Sequence, residues 1–114
     1  MANTPEGKVK DRIVKCLKGY GAYYHMPVQN GMGRPSLDFI GCYYGHFFAV
    51  EAKAPGKKPT KRQELTMREM MNAGAAVFVI DGDVHALDTY LKVVKEKYEQ
   101  DGTTSDVKEG RNHD

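Results

Sequence analysis

Tryptophan is absent from this 114-residue chain, cysteine occurs twice and proline five times. No apolar run approaches the ~20 residues that span a bilayer, which excludes a transmembrane helix on sequence grounds. The first residues, Met-Ala-Asn-Thr-Pro-Glu-Gly-Lys, contain no apolar stretch of the signal-peptide kind, so a cytoplasmic location is expected. Cys16 and Cys42 lie 26 positions apart, too far for a zinc knuckle and too few for a disulfide framework. They are expected to be two buried thiols in a reducing compartment.

What is present is ordinary in amount and uneven in placement. The chain is long enough for one domain with a modest core. Its net charge of +2 conceals an asymmetry: residues 1–95 hold 14 Lys/Arg against 9 Asp/Glu, and residues 96–114 hold 3 against 6. The part expected to fold is therefore basic, which fits a polyanionic partner. From residue 100 onward Gly, Ser, Thr and charge dominate, so the expected domain is 1–99 and residues 100–114 are expected to be a disordered tail.

Hydrophobic spacing predicts a helix over 4–19, with Thr4 as N-cap, Pro5 at the first helical position and Val9, Ile13, Cys16 and Leu17 as its apolar stripe. Residues 22–28 read as a short strand and 29–36 as a loop. A second helix is expected over 60–73, opened by a Thr60/Gln63 capping box and closed by Gly74, with Leu65, Met67, Met70 and Met71 as its apolar surface. Residues 75–80 look like a buried strand. A last helix over 84–99 presents Val84, Leu87, Leu91, Val94 and Tyr98 on one side. The order α-β-β-β-α-β-α implies an α/β fold, a mixed four-stranded sheet flanked by helices with a C-terminal helix added. The helix over 60–73 would make the last two strands a parallel pair.

The chemistry concentrates in 38–53, two aromatic-rich apolar runs joined at a glycine turn. Each run carries ionisable groups where a buried strand ordinarily has none: Asp38 on the first, Glu51 and Lys53 on the second. Period two puts Glu51 and Lys53 on one face with Phe47 and Ala49. A two-residue turn at Tyr44-Gly45 sets Asp38 opposite Glu51, a repulsive pair that a cation would relieve. A turn at Gly45-His46 sets Asp38 opposite Lys53 instead. The plain alternative is an exposed strand end with an ordinary Glu/Lys pair.

Glu6 in a first helix, Asp38 ending Gly-Arg-Pro-Ser-Leu-Asp, Glu51-Ala52-Lys53 and Gln63 in the following helix together resemble the PD-(D/E)XK nuclease superfamily, and within it the VRR-NUC family of phages and repair enzymes. The resemblance spans about residues 4–82. Its one departure is that Ser36-Leu37 separates Pro35 from Asp38, so the Pro-Asp dipeptide is missing. It implies a restriction-endonuclease-like αβββαβ core. It also implies a Mg²⁺-dependent DNA endonuclease, with Mn²⁺ able to substitute. Asp38, Glu51 and the Ala52 backbone carbonyl would hold the metal, with Glu6 reaching it directly or through water. Lys53 would orient or help deprotonate the attacking water, and Gln63 would position Lys53 or a phosphate, besides capping its helix. Branched DNA, a homodimer and a role in recombination, replication or repair follow from the same resemblance, in a bacterial host's cytosol if phage-encoded. Arg34, Lys57, Lys58, Lys61 and Arg62 would contact phosphates, a role that carries no sequence information. Tyr23, Tyr24, Tyr43 and Tyr44 could stack on exposed bases, but aromatics in strands more often belong to the core, and they are expected mainly there. Against the DNA endonuclease stand a non-catalytic DNA-binding or scaffold protein on the same fold and an RNA-directed nuclease.

Overall fold

The computed structural model describes residues 4–28 and 33–101. Part of the expected 29–36 loop and most of the expected tail lie outside the described residues. Seven elements follow in the expected order: α1 (Pro5–Tyr20), β1 (Tyr23–His25), β2 (Phe39–Tyr43), β3 (His46–Ala52), α2 (Lys61–Asn72), β4 (Ala76–Ile80) and α3 (His85–Asp101). The sheet runs β1-β2-β3-β4. Its first two pairings are antiparallel and β3 to β4 is parallel, as a helical connection requires.

Local chemistry explains where the helices start and stop. Thr4 Oγ1 accepts the Gly7 N–H at 2.9 Å, Pro5 occupies the first turn, and Gly21 closes α1 at φ 74°. α2 has both halves of the capping box: the Gln63 N–H donates to Thr60 Oγ1 and Gln63 Oε1 accepts the Thr60 N–H. α3 runs two residues past its expected end at 99, to Asp101.

The sheet separates two apolar layers. On one side Val9, Ile13 and Leu17 of α1 and Leu87, Leu91 and Val94 of α3 pack with Phe39, Phe48 and Val50. Most of these side chains are fully buried, each contributing about 1.5–3 kcal/mol. On the other side a smaller cluster joins Leu37, Ala49 and Met67 beneath α2.

Four expectations need correction. β1 covers only three of the residues 22–28. β4 is an edge strand, and Val79 on it is 42% exposed; an apolar run does not say how many neighbours a strand has. Leu65 and Met71 of α2 are exposed, because its buried arc narrows to Thr66, Met67 and the half-buried Gln63 and Met70. Cys42 is exposed and Cys16 half-buried, since the sheet face that carries Cys42 is only partly covered by α2.

Candidate functional site

The β2–β3 hairpin turns at Tyr44-Gly45, with φ of 46° and 83°, the positive pair that a two-residue turn of type I′ needs. Paired positions are Phe39 with Val50 and Tyr43 with His46. Continued by one residue, this register sets Asp38 against Glu51. Gly41 helps to hold it: a Cβ there would collide with the Tyr23 carbonyl and the Phe48 ring lying across it.

The two carboxylates interlock at the open end of the hairpin. The Asp38 N–H donates to Glu51 Oε1 at 3.1 Å, and the Ala52 N–H donates to Asp38 Oδ2 at 2.9 Å. Gln63 Nε2 donates to Glu51 Oε2 at 2.6 Å, so one side chain both caps α2 and anchors the deepest carboxylate. Lys53 Nζ stands 3.7 Å from Glu51 Oε2. The Lys53 N–H donates to the Ile80 carbonyl of β4, and the Ala52–Lys53 peptide is trans, so the Ala52 carbonyl points the other way, toward Asp38.

Glu51 is 3% exposed. Its pKa is pushed up to about 7, first by desolvation and then by the Asp38 charge; the Asp38 N–H and Lys53 offset only part of this. A buried carboxylate beside a half-buried one, with incomplete compensation, is a setting that favours a cation. The donor set is all oxygen and suits Mg²⁺ or Mn²⁺, which bind through one or two carboxylates and keep several waters. Among the described residues no three His, Cys, Asp or Glu side chains converge tightly enough to form a cage. Glu6 stands apart, in the first turn of α1. Lys10 links it to the pair, with Nζ 3.5 Å from Glu6 Oε2 and 3.8 Å from Asp38 Oδ1. The residues present therefore fit a hydrated divalent ion that Asp38, Glu51 and the Ala52 carbonyl would hold, while Glu6, expected from the resemblance to reach it directly or through water, is paired with Lys10 instead.

Lys10 has no place in the motif as read from sequence, although its i,i+4 spacing from Glu6 was visible there. A cleft of about 440 Å³ opens beside the pair, lined by Asp38, Glu51, Thr60 and Gln63 with Arg34 and Arg62. Lys57, Lys58 and Lys61 are exposed but do not line it. Arg34 is engaged by Glu69 at 2.7 Å. Of the four tyrosines, Tyr43 is in the core and Tyr24 is packed against it. Tyr44 stacks on Tyr98, and Tyr23 is 76% exposed.

No protein-family model and no curated protein matches the chain. A solved structure described as a VRR_NUC domain does, with a TM-score of 0.59 and 22% identity, covering 83% of this chain and 98% of that one. This is the VRR_NUC fold. The expected mixed sheet of four strands with three flanking helices is thereby borne out in both arrangement and likeness. The VRR_NUC likeness extends over most of the chain.

Proposed function

We propose that this protein is a metal-dependent nuclease that hydrolyses phosphodiester bonds in DNA. The observation that carries the reading is the convergence of Asp38, Glu51, Lys53 and Gln63 at one end of the hairpin, on a fold shared with a VRR_NUC domain. A bound Mg²⁺ would supply an activated water and neutralise charge building on the phosphate. The chain's own residues do the rest. The hydrogen bonds from Asp38, Ala52 and Gln63 fix both carboxylates before substrate arrives, so no reorganisation is needed during reaction. Lys53, with its side chain 13% exposed beside Glu51, orients the attacking water and offsets charge on the phosphate. Arg34 and Arg62 in the cleft wall hold flanking phosphates, with Lys57, Lys58 and Lys61 further out.

The substrate we infer is branched or otherwise structured DNA met in recombination, replication or repair, cut by a homodimer, since one small chain carries one site and two strands need two. The test is incubation of purified protein with labelled duplex, single strand, flap and four-way junction, with Mg²⁺ or EDTA, beside Glu51→Ala and Lys53→Ala. Cleavage of the branched substrates that vanishes with EDTA and with either substitution is expected. Cleavage that survives either treatment overturns the mechanism, and binding of every substrate without cleavage makes the protein a binding module.

A further inference from the structure

The face of the sheet that carries Glu51 is not fully covered. Register places Tyr23, Cys42 and Phe47 side by side across β1, β2 and β3. Alternation puts all three on the α2 side, because their neighbours Tyr24, Tyr43 and Phe48 pack into the opposite layer. The next row, Ile40 and Ala49, is closed by Leu37 and Met67. The Tyr23 row is not: Tyr23 is 76% exposed, Phe47 is 45% exposed and Cys42 is exposed between them. Two rings therefore rise from strands roughly 10 Å apart with a small side chain as the floor of the recess.

A groove of about 710 Å³ reaches Phe47 and His46. It shares one wall, Arg34, Pro35, Ser36 and Thr66, with the cleft that holds Asp38 and Glu51. Along β3 the Phe47 row lies four residues from Glu51, roughly 13 Å, which a stacked strand rising about 3.4 Å per nucleotide crosses in roughly four nucleotides and an extended strand in fewer.

We propose that the Tyr23–Cys42–Phe47 row binds unpaired nucleobases of the DNA strand whose backbone passes through the Asp38/Glu51 cleft. Its position relative to the cut rests on the nuclease reading above. Charge leaves room for a nucleic acid as occupant: between positions 22 and 50 Asp38 is the only acidic residue and Arg34 the only Lys or Arg, so the strands themselves carry no net charge against a polyanion. Glu69 in the groove wall is neutralised by Arg34, while Arg62 and Arg68 flank the wall on α2. Geometry then selects the state of the bases. In an intact duplex every internal base is stacked on both faces, so exposed rings gain nothing from it; a single-stranded arm offers free π-faces, and stacking on them is insensitive to sequence.

The test is equilibrium binding in EDTA, which separates binding from cleavage. The probes are a forked DNA with 2-aminopurine in its single-stranded arm and a blunt duplex of the same length. Tyr23→Ala and Phe47→Ala are each expected to weaken forked binding roughly tenfold and to relieve 2-aminopurine quenching. Tyr23→Phe retains both, and blunt-duplex binding is unchanged. Because Tyr23 is so exposed, its substitution should leave the melting temperature unaltered, and a preserved melt certifies the fold. Equal losses on blunt and forked DNA, no loss on either, or dissociation of a dimer by Tyr23→Ala with DNA binding intact each overturn the proposal. Fork-specific loss without any Mg²⁺-dependent cleavage by the unsubstituted protein would sustain this site and sink the nuclease reading. Mg²⁺-dependent cleavage with fork binding indifferent to both substitutions would do the reverse.

Discussion

Asp38 and Glu51 face each other across the end of the β2–β3 hairpin, and each is tied to the other's strand: the Asp38 N–H donates to Glu51 Oε1, while Asp38 Oδ2 accepts the Ala52 N–H. Backbone donors thus hold two carboxylates together that would repel one another if free. Under the metal-dependent reading proposed above, relief of that repulsion would favour cation binding, an effect measurable without any substrate.

Stability should depend on pH in a defined direction. Glu51 holds its proton up to about pH 7 in the folded chain, against 4.5 in the reference state. The folded state therefore binds more protons than the unfolded one over this interval, and stability falls as pH rises from about 4.5 to about 7, then levels off. For this nearly fully buried group the ceiling is about 3 kcal/mol. Urea midpoints at pH 5 and pH 8 in EDTA should differ accordingly. Saturating Mg²⁺ should raise the pH 8 midpoint far more than the pH 5 one; a pH-independent Mg²⁺ effect would contradict the assignment.

Asp38→Asn removes one charge of the pair and keeps an oxygen for the Ala52 N–H. At pH 8 without metal it should gain on the order of 1 kcal/mol, visible as a rise of several degrees in melting temperature, despite losing the Lys10 contact. The Mg²⁺-dependent stabilisation should largely disappear with it. Cleavage activity is expected to drop by at least two orders of magnitude.

Gln63 has two roles that substitution can separate. Gln63→Ala loses both the capping box and the Glu51 hydrogen bond, with a stability cost of about 1 kcal/mol and a fall in activity. Gln63→Glu can still cap the Thr60 N–H, but it sets a third carboxylate against Glu51. Its melting temperature should approach that of the parent at pH 5 and fall below it at pH 8, with activity lost throughout. Parallel melts of the two variants across this pH range are the check.

Tyr44 sits at a positive φ that a non-glycine residue rarely adopts, and its ring stacks on Tyr98 of α3 with centroids 3.9 Å apart and an 11° tilt. Tyr98→Ala removes that support and should cost about 1 kcal/mol. Tyr44→Gly in the same background should recover part of the loss, because glycine meets no steric penalty there. A thermal melt of the single and double variants would show it; an additional loss in the double variant would mean that the stack does not compensate backbone strain.

Period and punctuation determined a great deal of this protein from sequence. Thr4 and Pro5 opened α1, Thr60 and Gln63 opened α2, and alternation along residues 47–53 placed Glu51 and Lys53 on one face. These are local relations, settled by residues within one turn or one pleat of each other. Three matters were left to tertiary structure. The sequence allowed turns at Tyr44-Gly45 and at Gly45-His46; Phe48 lying over Gly41 and Tyr44 stacked on Tyr98 accompany the first, which pairs Asp38 with Glu51 and not with Lys53. Lys10 joined the site because α1 crosses the end of the hairpin, a proximity between residues 28 positions apart that no spacing rule contains. The apolar run at 76–80 became an edge, and the Tyr23 row stayed open, because a four-stranded sheet with one short helix on this face cannot cover all of it. Local preference chooses the elements, whereas the number of neighbours available to each element decides what is buried and what remains to bind.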